Sequence, residues 1–423
     1  MLDIQTIREQ SDRVKEAMLQ KGEKETSIVD ELLSVDKTWR ETVAVTDQLR
    51  SESNQKAKEI GQLMSQGKKE EAEELIRITG ESKDKIKEME EQLQTYAEKR
   101  ESLLYRIPNI PHETVPVGQT PDENVVHATW GEPIANEEWR RPHWELAEEK
   151  GWIDFKRGVK VTGAGFPFYV GPLARLQRAL IQFFLDEAND AGYTELQAPF
   201  FVNEASARGT GQIPDKEDMM YVIPRDDFFA IPTAEVPVTN FHRDEILKES
   251  DLPLKYVAYT PCWRREAGSY GKEVRGLNRL HQFDKVELVH LVHPSDSYEA
   301  LESLRNDAES LLRKLELPYQ TLLMCTGDMG FTQSKKYDLE VWSPGQKRWL
   351  EVSSCSNFES FQARRMQLRY KNKEGHIEIL HTLNGSGLAL PRIVASILET
   401  YQEPSGKVLI PAVLQPYMRA KEL

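Results

Sequence analysis

CWRREAGSYGKEVRGLNRLHQFDKVEL, residues 262–288, decides how the chain reads. Its first residues end a stretch of β-branched and aromatic side chains, YVAYTPCW (256–263), and its last open another, FDKVELVHLV (283–292). Two such runs joined through a loop holding Gly268, Gly271 and Gly276 predict an antiparallel hairpin. Arg264, Arg265 and Glu266 stand at the end of the first strand, and Phe283 and Glu287, four residues apart, share one pleat face of the second. That set suits a nucleotide laid on a sheet. An arginine fork neutralises a phosphate through two parallel bonds, a glutamate accepts from an exocyclic amine, and a phenyl ring stacks on a base. Alone, an Arg-Arg-Glu triplet is an ordinary solvated charge cluster, so the spacing of the whole hairpin carries the reading.

The same texture continues downstream in YQTLLMC (319–325), YDLEVWSP (337–344) and RWLEVSSCS (348–356). Between these runs lie amphipathic helices such as LARLQRALIQFFLDEAND (173–190) and SYEALESLRNDAESLLRKL (297–315). Consecutive strands with short turns make 121–423 an α+β domain on an antiparallel sheet flanked by helices. Upstream the composition changes abruptly. Residues 1–106 contain no proline, whereas IPNIPHETVPVG (107–118) has Pro108, Pro111 and Pro116, which cannot continue a helix. We read 1–106 as a helical domain and 107–120 as a linker. Within the first, Ala72, Leu75, Thr79, Ser82, Ile86, Met89, Leu93, Tyr96, Arg100 and Leu103 follow a 3–4 alternation, the seam of a coiled coil. Leu32, Trp39, Val43, Thr46, Ala57, Ile60 and Met64 give a weaker stripe, and Gly67 offers a reversal between the two. The expectation is a long antiparallel hairpin with arms near 27–65 and 69–105. It suits either a dimerisation zipper or an arm that reaches a partner, and the polar seam toward the tip favours the arm.

Charged residues make up 29% of the 423, with 55 basic against 69 acidic and a net charge of −14. That excludes a protein coating nucleic acid through bulk charge, but not a local basic contact. Three scattered cysteines, Cys262, Cys325 and Cys355, make neither a disulfide framework nor a tetrahedral zinc site. The N-terminus lacks an apolar signal core and no run is long enough to span a membrane, so the expected setting is the cytoplasm. There is no G-x-x-x-x-G-K-[ST] loop and no complete G-x-G-x-x-G, only GAG at 163–165 and GSG at 385–387. If the chain handles a nucleotide, arginines and a metal must grip its phosphates in place of a glycine-rich loop.

The hairpin of 262–288 resembles motif 2 of the class II aminoacyl-tRNA synthetases, and RREAGS…RG…HQFDKVEL resembles seryl-tRNA synthetase in particular. GYTELQAPF (192–200), with Pro199, is similar to motif 1, which forms the dimer interface of that class, and GSGLALPRIVASILE (385–399) to motif 3. IPTAEVPVTN (231–240) and EVSSCSNFESFQARR (351–365) look like the family's serine-binding and nucleotide-binding segments, and the opening hairpin looks like the tRNA-binding arm of the bacterial form. The resemblance implies attachment of L-serine to tRNA(Ser), and to tRNA(Sec) where that tRNA exists, in two steps through seryl-adenylate.

Its implied roles follow residue by residue. Arg264 holds the α-phosphate, where charge gathers during adenylation. Glu266 accepts from the adenine amino group, Phe283 stacks beneath the ring, Arg265 completes the ATP-binding triplet, and Arg392 lies against the γ-phosphate. Glu351, Val352, Ser353 and Ser354 line the nucleotide, with Glu351 and Ser354 as Mg²⁺ ligands; hard oxygen donors suit that ion. Arg264, Arg392 and Glu351 are the catalytic set. Serine is held by Thr233, Ala234, Glu235, Arg264, Glu287, Asn384 and Ser386, the carboxylates taking its ammonium and the small polar groups its hydroxyl. A site built to pair a hydroxyl rejects alanine, so no editing domain is called for. ATP is a co-substrate and no zinc is implied. Arg50, Lys56, Lys68, Lys69 and Arg77 are candidate tRNA contacts, in a homodimer that binds tRNA across subunits. His143 and His281 read as capping or packing histidines, because a serine carboxylate is already ionised and attacks without a general base. Trp263 and Tyr270 depart from the family's usual residues without removing a charge.

Overall fold

The computed structural model describes every residue except 136 and 267–274, and every side chain among them except that of Glu217. Gly268, Tyr270 and Gly271 lie outside the described residues. The chain divides into two compact units, one of residues 2–19 and 23–108, the other of residues 1, 20–22 and 109–423.

The first unit is built on helices α1 (Ser27–Ser65) and α2 (Lys69–Tyr105), reversed through Gly67 in the left-handed conformation at φ +77°. At about 1.5 Å per residue each arm runs roughly 55 Å. All ten seam positions of α2 are buried or half-buried, and most of their neighbours are exposed. On α1 the seam follows strict 3–4 spacing through Thr46, Leu49, Ser53, Lys56, Ile60 and Leu63. Ala57 and Met64, read from the sequence as seam residues, are instead exposed, because they are apolar but one position out of phase. Near the hairpin's base Asp36 is fully buried and accepts from Arg8 (2.8 Å twice), Arg40 (3.1 Å) and Arg100 (2.8 Å). Burial opposes its ionisation, yet the arginines hold its carboxyl below the ordinary range. Arg100 also covers the Trp39 ring at 5.0 Å.

The second unit contains, in chain order, β1 (Val125–Trp130), α3 (His143–Glu149), α4 (Pro172–Asp190), β2 (Thr194–Glu195), β3 (Leu254–Trp263), β4 (Gln282–Val292), α5 (Ser297–Lys314), β5 (Tyr319–Leu323), β6 (Lys335–Ser343), β7 (Arg348–Asn357), β8 (His381–Ala389) and α6 (Leu390–Thr400). The eight strands form one sheet in the order β1-β5-β6-β7-β8-β4-β3-β2, antiparallel throughout except for the β2–β3 pair. Smaller sheets of three strands join Phe201–Asn203, Phe228–Ala230 and Tyr221–Ile223, and separately Ile246–Lys248, Arg369–Lys371 and Ile377–Ile379. Helices α4, α5 and α6 press their apolar faces onto the main sheet, with Leu173, Leu176, Leu180 and Phe184 of α4 all fully buried. Each such side chain contributes roughly 1.5–3 kcal/mol. Helix α6 starts with Pro391 in its first turn, where the missing N–H is no loss. Residues 109–118 belong to this unit by their bonds: Asn109 donates to the carbonyls of Phe331, Thr332 and Phe358, and the Gly118 N–H to Thr326.

Candidate active site

The middle of the sheet carries the chemistry. Strand β4 alternates, so Phe283, Lys285 and Glu287 stand on one face, and the β3–β4 register sets Cys262 opposite Phe283. Two β-bulges reshape the neighbouring strands. Between β6 and β7, Ser353 pairs with Leu339 and Glu351 with Glu340, so Val352 is the extra residue. A bulge breaks strict alternation and lets Glu351, Ser353 and Ser354 all border one cavity. Between β4 and β8 the register slips by one between Ser386 and Ala389, where Leu388 takes φ +113°. Gly385 sits in a tight crossing, where a Cβ would press on the Cys355 Sγ at 3.0 Å and the Leu304 side chain at 3.1 Å.

These elements enclose a cavity of about 420 Å³. Its deep end is polar and buried. Glu287, fully buried, accepts from Thr233 Oγ1 (3.1 Å), Asn384 Nδ2 (2.7 Å) and the Lys285 ammonium. Lys285 also donates to Thr233 Oγ1 at 2.8 Å. Asn384 reaches across to Glu235 at 3.2 Å, and Gln362 donates to the other Glu235 oxygen at 2.7 Å. Burial, and then the charge of Glu287, push the Glu235 carboxyl above its ordinary range. Two buried carboxylates here share the bonded Lys285 and the nearby charge of Lys216, and Glu235 accepts only from neutral amides, which suits this end to a small cationic group. The Ser386 carbonyl accepts from Ser353 Oγ at 2.7 Å.

The wider end is cationic. The Arg264 guanidinium lies 5.1 Å over the Phe283 ring and its Nε donates to the Pro232 carbonyl at 3.3 Å. Glu266, in the left-handed region at φ +47°, pairs with Arg279 at 2.7 Å. Arg392, in the first turns of α6, donates to the carbonyls of Glu351 (2.6 Å) and Asn278 (3.1 Å). The Glu351 side chain is exposed to the cavity; partial desolvation by the wall opposes its ionisation, but Arg392, Lys336 and Arg264 together hold its carboxyl below the ordinary range. Asp338, which faces Ser354 across the strands, is pushed up to about 6, chiefly by burial, and its Oδ1 has no hydrogen-bond partner among the described residues. An orphaned buried carboxylate oxygen beside a glutamate and a serine is a hard-oxygen set that fits Mg²⁺.

Of the residues read from the sequence, the structure brings Thr233, Glu235, Arg264, Glu266, Phe283, Glu351, Val352, Ser353, Ser354, Asn384, Ser386 and Arg392 around this one cavity, with Glu287 bonded to its wall. Arg265 is exposed and Ala234 buried, and neither lines it. His143 is buried and His281 half-buried behind the wall, His281 bonded to Tyr221 at 2.7 Å. On the hairpin, Arg50 is paired with Asp47 and with Glu90 of the other arm, Arg77 with Glu74 and Glu81, and Lys68 with Glu71, while Lys56 sits in the seam and Lys69 is exposed. Sequence reading missed Lys285, Lys216, Lys336, Asn278 and Arg279, all of which line the cavity, and Gln362 behind it. Lys285 had a signal, because it stands midway between Phe283 and Glu287 on an alternating strand.

Residues 221–401 match the family model described as "tRNA synthetase class II core domain (G, H, P, S and T)", and residues 1–111 the model described as "Seryl-tRNA synthetase N-terminal domain". The chain is 59% identical over 418 residues to the "Serine--tRNA ligase" of Salinibacter ruber, an alignment covering 99% of this chain and 98% of that one. It resembles the crystal structure of seryl-tRNA synthetase from Pyrococcus horikoshii complexed with ATP, with TM-score 0.94, 37% identity and coverage of 100% and 99%. It also resembles that of the cytoplasmic serine-tRNA ligase from Naegleria fowleri in complex with AMP, with TM-score 0.88, 28% identity and coverage of 100% and 98%.

Proposed function

The chain belongs to the seryl-tRNA synthetase family, and on that footing we propose that it activates serine as seryl-adenylate before passing it to tRNA(Ser). It is a ligase that joins serine to tRNA with ATP as co-substrate. The observation that carries the two-step reading is the junction, in one cavity, of a buried cation-binding cluster and an arginine-lined face with a phenyl ring.

Glu287, Glu235 and Thr233 receive the serine ammonium. Asn384 and Ser386 read the hydroxyl, and an alanine would leave them unpaired against a desolvated wall. Arg264 draws the serine carboxylate and the α-phosphate together; the carboxylate oxygen attacks phosphorus in line and pyrophosphate leaves. Phe283 carries the adenine, Glu266 is set by Arg279 to accept from its amino group, and Arg392 holds the γ-phosphate so that ATP presents its α-phosphorus. Glu351 and Ser354 would hold Mg²⁺, which supplies charge neutralisation of the phosphates. Zinc has no part in this reading. In the second step the tRNA's terminal ribose hydroxyl attacks the adenylate carbonyl and AMP departs.

The proposal extends to the assembly. Residues 1–106 form the tRNA-binding arm, 107–120 the linker and 121–423 the catalytic domain, in a cytoplasmic homodimer that binds tRNA across subunits and also serylates tRNA(Sec) where it exists. No described helix is long and apolar enough to cross a membrane. The arm carries Arg50, Lys56, Lys68, Lys69 and Arg77, suited to phosphates of a structured RNA. Amino-acid-dependent exchange of pyrophosphate into ATP, run with serine, threonine, proline and alanine, tests the reading. Exchange is expected with serine alone; exchange led by threonine or proline would assign the site to another subgroup.

A further inference from the structure

Helix α6 begins with Arg392 in the cavity and ends at a carboxylate that never reaches it. Glu399 is fully buried and takes five hydrogen bonds: from the His143 backbone N–H (2.9 Å), His143 Nδ1 (2.8 Å), Gln346 Nε2 (3.1 Å), the Gly345 N–H (3.2 Å) and the Ser343 hydroxyl. His143, equally buried, passes the connection on, since its Nε2 accepts the Leu277 backbone N–H at 2.9 Å. An acceptor nitrogen carries no hydrogen, so the ring is the Nδ1–H tautomer, donating to Glu399. Nothing but glycine passes beside it. Gly276 is left-handed at φ +69°, and a Cβ there would lie 2.3 Å from His143 Nε2. Next to His143, Trp144 lies under the Arg275 guanidinium at 5.4 Å. The gripped segment leads straight into the cavity: the Asn278 carbonyl holds Arg392 Nε, its side chain donates to Gln346 at 2.8 Å, and Arg279 holds Glu266.

We propose that His143 is a positioning residue for ATP: as a single-tautomer relay from Glu399 to the Leu277 N–H, it fixes residues 277–279 and so aims Arg392 and Glu266 at the nucleotide. This rests on the activity proposed above. The serine cluster of Thr233, Glu235, Glu287 and Asn384 makes no bond to the relay, so the two substrates should respond differently.

Two substitutions separate this role from that of a merely structural buried pair. His143→Asn keeps a donor near the Nδ1 position but does not reach Leu277. His143→Gln places an acceptor near the Nε2 position. In serine-dependent pyrophosphate exchange, the Asn variant should raise KM for ATP about tenfold, the worth of one buried hydrogen bond at ~1.4 kcal/mol, with the KM for serine little changed. The Gln variant should recover most of the ATP affinity. If Asn is harmless and Gln harmful, or if both KM values rise together with falling Tm, the role is structural and the proposal is overturned. Should neither variant fold, Gln346→Ala, at a turn, must raise the ATP KM in the same selective way, and an unchanged value overturns the relay. Wild-type chain inactive with serine would sink the functional reading instead. The relay is then still judged by amide hydrogen exchange over 275–280, which must quicken in the Asn variant and not in the Gln variant.

Discussion

Arg264 is bound on one side to a backbone carbonyl and on the other to the face of an aromatic ring, so its fork is already oriented before any substrate arrives. Preorganisation of this kind is what makes a single donor expensive to lose. Arg264→Ala should leave the fold and Tm nearly unchanged while slowing serine-dependent pyrophosphate exchange about 10²–10³-fold, and a variant with near-normal exchange would refute the assignment. At this scale much of the site was legible, because Phe283 and Glu287 are fixed by a period of two and Arg392 by its place in a motif. The illegible part is physical. Lys216 and Lys336 arrive from separate segments of the chain, and whether a lysine in a loop or a strand end turns inward depends on walls built elsewhere. Arg265 shows the converse: it stands next to Arg264 in sequence and, one step along an extended chain, faces away.

Among the elements, the bulge at Val352 accounts for a spacing that alternation alone would have split between two faces. A bulge leaves no signature in composition, which is why Glu351 and Ser354 were readable through resemblance and not through period. The hairpin was legible in its bounds, since Gly67 and the onset of prolines punctuate it, but its buried Asp36 was not, because three arginines that converge from Arg8, Arg40 and Arg100 are far apart in sequence. That cluster dictates how the arm should be shortened. Replacing 44–94 by a short Gly-Ser link keeps Asp36 and its partners, and removes Arg50, Lys56, Lys68, Lys69 and Arg77. Serine-dependent exchange should persist, aminoacylation of tRNA(Ser) should fall severely, and the remaining tRNA binding should depend less steeply on salt. Charging at the full-length rate would show that the hairpin is not the tRNA reader.

At the scale of the whole molecule, the proposed homodimer needs a surface on which two copies can meet. The hairpin's seam is already filled by its own two arms, and its outer faces are mostly charged, with Val45, Met64 and Ile76 exposed singly among the charges. The second unit, by contrast, exposes Val125, Val126 and Trp130 on edge strand β1, and Phe201, Val222 and Phe228 on a three-stranded sheet. Exposed apolar side chains on a sheet edge, and the Phe201 and Phe228 pair on one sheet face, favour burial against another protein surface. The chain shortened at 44–94 should therefore remain a two-fold dimer in sedimentation equilibrium, and a clean monomer would make the coiled coil the dimerisation device.

Helix α6 sets a rule for which lengths this chain can vary. Arg392 and Glu399 are seven residues apart, almost two full turns, so both point to the same side of one rigid rod. Adding or removing one residue between them would swing one end by about 100° relative to the other. Either the phosphate-facing arginine or the buried carboxylate would then leave its partners. The hairpin can grow or shrink by matched increments in its two arms, whereas α6 behaves as a phase-locked spacer. Insertions and deletions should accumulate in the first and be purged from the second.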